Sequence, residues 1–283
     1  LEDLCADGDC KYINPQPGHC KKDIKVELKK TTCKNLHERI MLDNPEIYEL
    51  LNRGMEEGLS SGLFQIEGDL AAQTCTKVKP TNFEHLSAVL ALARPGAMDY
   101  IDRYAEYVNE KIYEPVHEFF DEILEETGGI VLYQEQMMKM ANKIGFTLDE
   151  AEILRRIVGK KKVSEVKKWK KKIRDKVKEN NLAKEIGDVL WKVLEDSANY
   201  SYNKSHSVSY AALAAATAYL KFKYPREFYL SLLKMTKYEP KPLEEIASIS
   251  RELKLMGIKL LGPNLLKSEM DFSVEGENIR FGL

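Results

Sequence analysis

The sequence predicts a mainly α fold, a multi-helix body ending in a small β element, and three observations carry that expectation. Apolar residues recur at intervals of three and four through most of the stretch from Pro45 to Met256. Helix-edge residues fall where those runs start and stop: Pro225 suits a first helical turn, and Arg94-Pro95-Gly96 ends one. Strand character is confined to Ile258–Leu261 and Phe272–Phe281, at the far end. The 283 residues are 43% hydrophobic and 31% charged, the content of a soluble globular protein with ample chain to bury a core. No uninterrupted apolar run approaches the roughly 18 residues of a membrane span, so no membrane role is expected. Leu1-Glu-Asp-Leu-Cys5 lacks the basic start and apolar middle of a signal peptide. A start without Met and an end at Phe281-Gly-Leu283 read as a piece of something longer.

Taken in order, residues 1–34 are the least readable. They hold Cys5, Cys10, Cys20 and Cys33, with His19 beside Cys20. Zinc sites usually show close Cys-x-x-Cys pairs and these gaps are wider, so free thiols in a reducing compartment compete with a metal site. A disulfide framework ranks behind both. From Asp43-Asn-Pro-Glu46 a helix runs through Ile47, Leu50 and Leu51 and stops in the Gly-rich 53–62 stretch. Gly62-Leu-Phe-Gln-Ile-Glu67 alternates in polarity and reads as a strand or a buried turn. Pro80-Thr-Asn-Phe-Glu84 opens a helix capped by Thr81 or Asn82, with Leu86, Val89, Leu90 and Ala93 inward. Residues 101–126 are acidic and aromatic, and Pro115 divides them into two helices.

After Gly128-Gly129, Ile130-Val-Leu-Tyr-Gln-Glu-Gln136 leads into a helix through Met137, Met140, Ala141 and Ile144, where the Met residues fill core. Thr147-Leu-Asp-Glu150 is a capping box. Its helix turns Leu154, Ile157 and Val158 inward and Arg155 and Arg156 outward before Gly159. From 164 to 178, Val166, Trp169, Ile173 and Val177 form one apolar stripe with lysines outside it. Further helices are expected at 182–198, 205–222, 225–237 and 242–256.

The net charge of −2 hides a strong asymmetry. Between Arg155 and Lys178 thirteen Lys and Arg face two acids, Glu165 and Asp175; that segment carries +11 and the remainder −13. One strongly basic surface on an acidic body is the footprint of a polyanion-binding protein, with a merely solvated lysine helix as the plainer alternative. Asn203-Lys-Ser-His-Ser207 concentrates an amide, an ammonium, two hydroxyls and an imidazole where the helix expected at 205–222 begins. Exposed backbone N–H groups at a helix start carry partial positive charge, so Lys204, Ser205 and Ser207 there make a phosphate cradle. The competing reading is a serine that merely caps the helix. Arg155, Arg156 and the Lys160-Lys161-Lys162 turn supply further donors, since guanidinium forks match phosphate oxygens. Tyr200 and Tyr202 are stacking candidates or core. No G-x-x-x-x-G-K-[ST] or dinucleotide-binding Gly loop occurs, and Asp7-Gly-Asp9 is the lone D-x-D spacing.

Five motifs in order then make a resemblance. Gly62-Leu-Phe-Gln-Ile-Glu67, Leu92-Ala-Arg-Pro-Gly96, Gly129-Ile-Val-Leu-Tyr-Gln-Glu-Gln136, Leu154-Arg-Arg-Ile-Val-Gly-Lys-Lys-Lys162 and Tyr202-Asn-Lys-Ser-His-Ser207 resemble successive motifs of the C-family bacterial replicative DNA polymerases, the DNA polymerase III alpha subunits. Tyr224-Pro-Arg-Glu-Phe228 fits the next segment of that family, and the likeness covers roughly Met41 to Leu283. The resemblance implies a fingers domain at 41–257, preceded by a Cys-containing segment at 1–40 that ends the palm or links to it. A further small α/β segment would begin at 258–283. It implies a fragment inactive by itself, because the family's catalytic carboxylates, in a Pro-Asp-x-Asp-x-Asp signature absent here, lie in the palm.

Carried over position by position, the resemblance implies nucleotide binding by Arg155, Arg156, Lys160, Tyr202, Asn203, Lys204, Ser205 and His206. It implies DNA contacts by Arg94, Lys161, Lys162, Lys167, Lys168 and Lys171, and two Mg2+ ions held by palm carboxylates outside this chain. Tyr202 stands where many members carry Phe. Implied partners are primer–template DNA, dNTP, a sliding clamp and other replisome subunits, in the cytoplasm at the nucleoid. The Cys-rich departure upstream of Lys34 suits a divergent member, cellular or viral. Two rival classes remain: a non-catalytic nucleic-acid-binding helical protein, and a helical protein-interaction domain whose lysines meet an acidic partner.

Overall fold

A computed structural model describes residues 42–283 apart from 161, 162 and 199. Its helices are α1 (Pro45–Glu56), α2 (Asp69–Val78), α3 (Phe83–Leu92), α4 (Ile101–Glu110), α5 (Asp121–Leu124), α6 (Gln134–Lys143), α7 (Leu148–Lys160), α8 (Val163–Glu179), α9 (Lys184–Ser197), α10 (Lys204–Lys223), α11 (Pro225–Met235) and α12 (Pro242–Leu255). Strands β1 (Leu260–Leu261), β2 (Ser273–Glu275) and β3 (Asn278–Arg280) come last. They form one sheet ordered β1-β3-β2, with β1 parallel and β2 antiparallel to β3. The chain is mainly α with a small C-terminal β element, as its apolar spacing predicts.

Start signals act where expected. Asn44 accepts from Glu46 N at 3.1 Å ahead of Pro45, and Asn82, not Thr81, caps α3 through His85 N at 2.9 Å. The Thr147 box is made reciprocally: Glu150 N donates to Thr147 Oγ1 (3.2 Å) and Thr147 N to Glu150 Oε2 (3.1 Å). Helix α2 has no counterpart among the expected elements. Its Gly68 cap makes no side-chain bond, and its threonines satisfy themselves along the helix, Thr74 Oγ1 on Leu70 O and Thr76 Oγ1 on Ala72 O. Residues 62–67 form a buried turn rather than a strand, with Gln65 at φ +61°. The second acidic helix after Pro115 breaks into α5 between 3-10 turns at Glu118–Phe120 and Glu125–Thr127.

The buried side chains among the described residues gather into three clusters. The first joins α1, α3 and α4 around Ala211, Ala214, Ala215 and Ala218 of α10. These small residues let neighbouring helices approach closely, and so does Gly54 on α1. A Cβ there would lie 2.0 Å from Phe222 Cζ. The second unites α6, α7, α8 and α9 around Trp169, Ile173, Leu190 and Trp191, the apolar stripe expected of α8. In the third, Tyr229, Leu230 and Leu233 of α11 and Ile249 and Leu253 of α12 pack on Ile258, Phe272 and Ile279. No described helix is long and apolar enough to cross a membrane.

One half-buried histidine on α3 predicts an acid response. Burial first, and then Lys111, hold the His85 imidazole down to about 4 against an ordinary 6.5, while its Nδ1 lies 3.0 Å from Thr81 Oγ1. Below pH 6.5 the unfolded chain therefore binds a proton that the folded chain refuses until about 4. Stability present above pH 6.5 is lost as pH falls through that window. Urea midpoints should drop between pH 7 and 4.5, and H85Q should flatten that slope; an unchanged slope in H85Q would refute the assignment.

Candidate functional site

Two segments remote in sequence are clipped side by side. Tyr202 N donates to Leu132 O (2.9 Å) and Gln134 N to Tyr202 O (2.8 Å), making a parallel bridge between Tyr133 and Tyr202. The clip brings the starts of α6 and α10 together. Beneath it, Tyr133 Oη donates to Ser87 Oγ (3.2 Å), and Ser207 Oγ donates to Ser87 O (2.6 Å). This buried knot fixes the first turn of α10 to α3. A hydroxyl so deeply engaged is no part of an open cradle, so Ser207 is structural.

Asn203 caps α10: its Oδ1 accepts from His206 N (2.9 Å) and from Ser205 Oγ (2.6 Å). Neither serine is the cap. The donors that the residue pattern offers to a phosphate are largely engaged by acids of the chain itself. Glu135, in the first turn of α6, accepts from Lys204 N (2.8 Å) and Asn203 Nδ2 (3.0 Å). Lys204 Nζ donates to both oxygens of Glu126 (3.1 and 3.0 Å) and lies 3.6 Å from Glu84 Oε2. Burial pulls the Lys204 pKa down, but Glu126 and Glu84 outweigh it and the net shift is upward.

On α7, Arg155 Nε and Nη2 each donate to Glu152 at 2.8 Å, and Arg156 Nε donates to the same carboxylate at 2.6 Å. The Arg155 bonds, opposed by partial burial and aided by Arg156, hold Glu152 down to about 2. Glu152 raises the Arg155 pKa most, and Glu135, which holds the α10 start, adds to the rise from farther off. Arg156 is exposed.

Arg94 is built into the same junction. Its Nε donates to Ala91 O (3.2 Å), its Nη2 donates to Tyr200 O (3.1 Å), and its guanidinium lies 3.6 Å from the centre of the Tyr202 ring. Tyr202 meets His206 edge-on at 5.4 Å, His206 meets Tyr210 at 4.1 Å, and Tyr210 meets Phe64 at 5.2 Å. A cation–aromatic row thus runs from Arg94 to the 62–67 turn. On α8, Lys167, Lys168 and Lys171 are exposed and have no ion-pair partner among the described residues. Lys161 and Lys162, the Lys160 side chain, and Cys5, Cys10, Cys20 and Cys33 lie outside the described residues.

The fold therefore gathers Tyr202, Asn203, Lys204, Ser205, His206 and Arg94 at one junction, with Arg155 nearby, and sets the α8 lysines on the second core. Glu152 is legible at helical i,i+3 and i,i+4 spacing from Arg155 and Arg156, whereas the pairing of Glu84, Glu126 and Glu135 with the α10 start has no local signal. The acidity of 101–126 is plain in the sequence, but no local spacing pairs Glu126 with a lysine 78 positions on. No group of three or more His, Cys, Asp or Glu side chains among the described residues is arranged to hold a metal ion.

Comparison with known proteins agrees with this arrangement of motifs. The family described as the bacterial DNA polymerase III alpha subunit finger domain matches residues 19–181. That match starts upstream of Met41 and takes in Cys20 and Cys33. The chain is similar to DNA polymerase III subunit alpha of Thermus aquaticus, 37% identical over 254 residues, covering 87% of this chain and 20% of the relative. The Aquifex aeolicus subunit is 41% identical over 249 residues, 86% of this chain and 21% of its own length. That of Deinococcus radiodurans is 34% identical over 255 residues, 87% and 19%. The chain spans about a fifth of the length of these relatives. With the helical fold and a family match over more than half its length, the chain belongs to the finger-domain family of bacterial DNA polymerase III alpha subunits.

Proposed function

We propose that this chain is the part of a replicative DNA polymerase that holds the incoming dNTP and the template–primer during nucleotidyl transfer. In that reaction a primer 3′-OH attacks the α-phosphate and pyrophosphate leaves. The reading is supported above all by the α10 junction, where Asn203, Lys204, Ser205 and His206 occupy one helix start with Arg94 and Tyr202 beside it. Arg155, Arg156, Lys160 and Lys204 neutralise the triphosphate; Asn203 and Ser205 fix it by hydrogen bonds; His206 contacts phosphate or sugar, and the Tyr202 ring stacks on base or sugar. Lys161, Lys162, Lys167, Lys168 and Lys171 track the phosphate backbone of the duplex, a contact without sequence information. Arg94, stacked on Tyr202, contributes to the template side. No group of carboxylates among the described residues fits a two-Mg2+ centre, and in this reading the ions are held by palm carboxylates outside this chain. Within this reading 41–257 is the fingers, 1–40 ends or links to the palm, and 258–283 opens the next segment. A clamp and other replisome subunits at the nucleoid complete the assembly.

Two experiments test the proposal. Arg155→Ala in the whole polymerase should raise the KM for dNTP by roughly tenfold, the loss of one charge-assisted contact of about 1.5–3 kcal/mol, while duplex affinity changes less. Equal small effects on both would sink the assignment. Fluorescence anisotropy of a labelled primer–template should report binding with a steep negative salt slope, tightened by the matching dNTP. A second reading has one observation in its favour: Arg155, Arg156 and Lys204 have acidic partners whereas Lys167, Lys168 and Lys171 have none among the described residues. A plain nucleic-acid-binding helix would give the same salt slope with no response to dNTP.

A further inference from the structure

The first turn of α10 is satisfied from within, by carboxylates placed as phosphate oxygens would be. Glu135 takes the Lys204 N–H at 2.8 Å and the Asn203 amide at 3.0 Å; Glu126 takes the Lys204 ammonium through both oxygens, at 3.1 and 3.0 Å. Glu84 stands behind at 3.6 Å. These acids come from α6, the Glu125–Thr127 turn and α3, so helix spacing does not place them there; the Tyr133–Tyr202 clip does. Asn203 Oδ1 already answers His206 N, and of the first three donors Ser205 N is the one with no partner among the described residues.

A triphosphate carries about four negative charges. It cannot share Lys204 with Glu126 and Glu84 without like-charge repulsion, which falls off only as the inverse of distance. Nor can two acceptors occupy the single Lys204 N–H. Phosphate therefore competes with Glu135 for the Lys204 N–H and with Glu126 for its ammonium. We propose that Glu135 and Glu126 are competing carboxylates that hold Asn203 and Lys204 in the place of the nucleotide phosphates, lowering affinity for dNTP and helping to displace pyrophosphate. This inference rests on the reading of the α10 start as the dNTP site, and it concerns how tightly that site holds its anion. It differs in sign from a supporting role: loss of a scaffold acid weakens nucleotide binding, whereas loss of a competitor strengthens it.

Glutamine is the informative replacement, because it keeps a carbonyl acceptor for the Lys204 donors and removes the charge. In the full-length polymerase that carries this chain, E135Q and E126Q should each lower the KM for dNTP about three- to tenfold. Each should also lower the inhibition constant of pyrophosphate by a similar factor, with KM moving more than kcat. E126Q is the safer of the two, since its carboxylate is 39% exposed and caps no backbone donor. Unchanged or higher values of both constants in E126Q and E135Q would overturn the proposal. Lys204→Ala separates competition from nucleotide binding itself. If it raises the KM for dNTP while the glutamine variants change nothing, competition alone is refuted. If it also leaves the KM untouched, the dNTP reading fails and the competition falls with it.

Discussion

Lys221→Met should cost this domain about 3–5 kcal/mol, a large share of the 5–15 kcal/mol that holds a typical domain together. Lys221 is fully buried in α10, and its ammonium uses all three of its donors: Glu252 Oε2 at 2.7 Å, Ser61 O at 2.7 Å and Leu59 O at 3.0 Å. Glu252, on α12, accepts in addition from Tyr229 Oη (2.7 Å) and Ser61 N (2.8 Å). Burial pushes the Glu252 carboxyl up, yet Lys221, Ser61 and Tyr229 together hold it below its ordinary range. Methionine fills the space of the lysine stem but leaves a buried carboxylate without a counter-ion and two carbonyls without a donor. The loss is bounded by protonation, since a buried carboxyl facing no cation binds a proton instead of staying charged.

That bound gives the test a sign. In the parent, the depressed Glu252 contributes stability above about pH 4.5 that is lost as pH falls through its folded value. In the variant, the carboxyl is raised, so acid relieves it. The gap between parent and variant in urea midpoint should be wide at pH 7.5 and narrow at pH 5. The double variant K221M/E252L should recover much of the loss, because a packed apolar pair replaces the orphaned charge. A single variant within about 1 kcal/mol of the parent at pH 7.5 would mean that the pair carries no such role. The pair also joins the 59–62 turn, α10 and α12, so the first motif of the chain is pinned to its C-terminal core by one buried contact.

The parts legible in the sequence are those whose cause is local. The Thr147–Glu150 box, the stripe of Val166, Trp169, Ile173 and Val177, and Pro225 at the start of α11 each act within one or two turns, and each stands where spacing put it. Helix α2 was illegible because its cap is a glycine and its threonines hide a helix behind β-branched residues. The broken segment after Pro115 shows the reverse error, acidic and aromatic residues whose local preference yields to packing of Phe120 and Leu124 in the second core. At the site the residue types were legible and their state was not. Nothing near Asn203-Lys-Ser-His announces Glu135 or Glu126, because the pairing is made by a two-residue bridge across about 70 positions of chain. Lys221 was invisible for the same reason: a lysine in a helical run reads as solvent-facing until its distant acid is known.

That bridge depends on one glycine, and Gly129→Ala should be the most damaging small substitution at the site. Gly129 sits at φ +78°, where an L residue pays roughly 1–2 kcal/mol. A Cβ there would lie 2.1 Å from Glu114 O and 3.0 Å from Arg103 Nη2. The Arg103 fork can swing, but Glu114 O is backbone, so either the 129–133 segment or the chain around Glu114 must move instead. A shift at residue 129 carries over to the clip, whose atoms lie within five positions of it: Leu132 O, which receives Tyr202 N, and Gln134 N, which donates to Tyr202 O. Strain and clash together should exceed about 3 kcal/mol in chemical denaturation, near the top of the range for point substitutions. Activity should fall in a specific way. With the clip loosened, Asn203 and Lys204 lose their fixed place at the start of α10, so the KM for dNTP should rise in the whole polymerase even at temperatures where the variant stays folded. Duplex binding by the α8 lysines, which sit on the second core, should keep its salt slope. A G129A protein that loses duplex affinity and dNTP affinity in equal measure would show instead that the two surfaces are one cooperative unit, and that the clip is not what sets the nucleotide side.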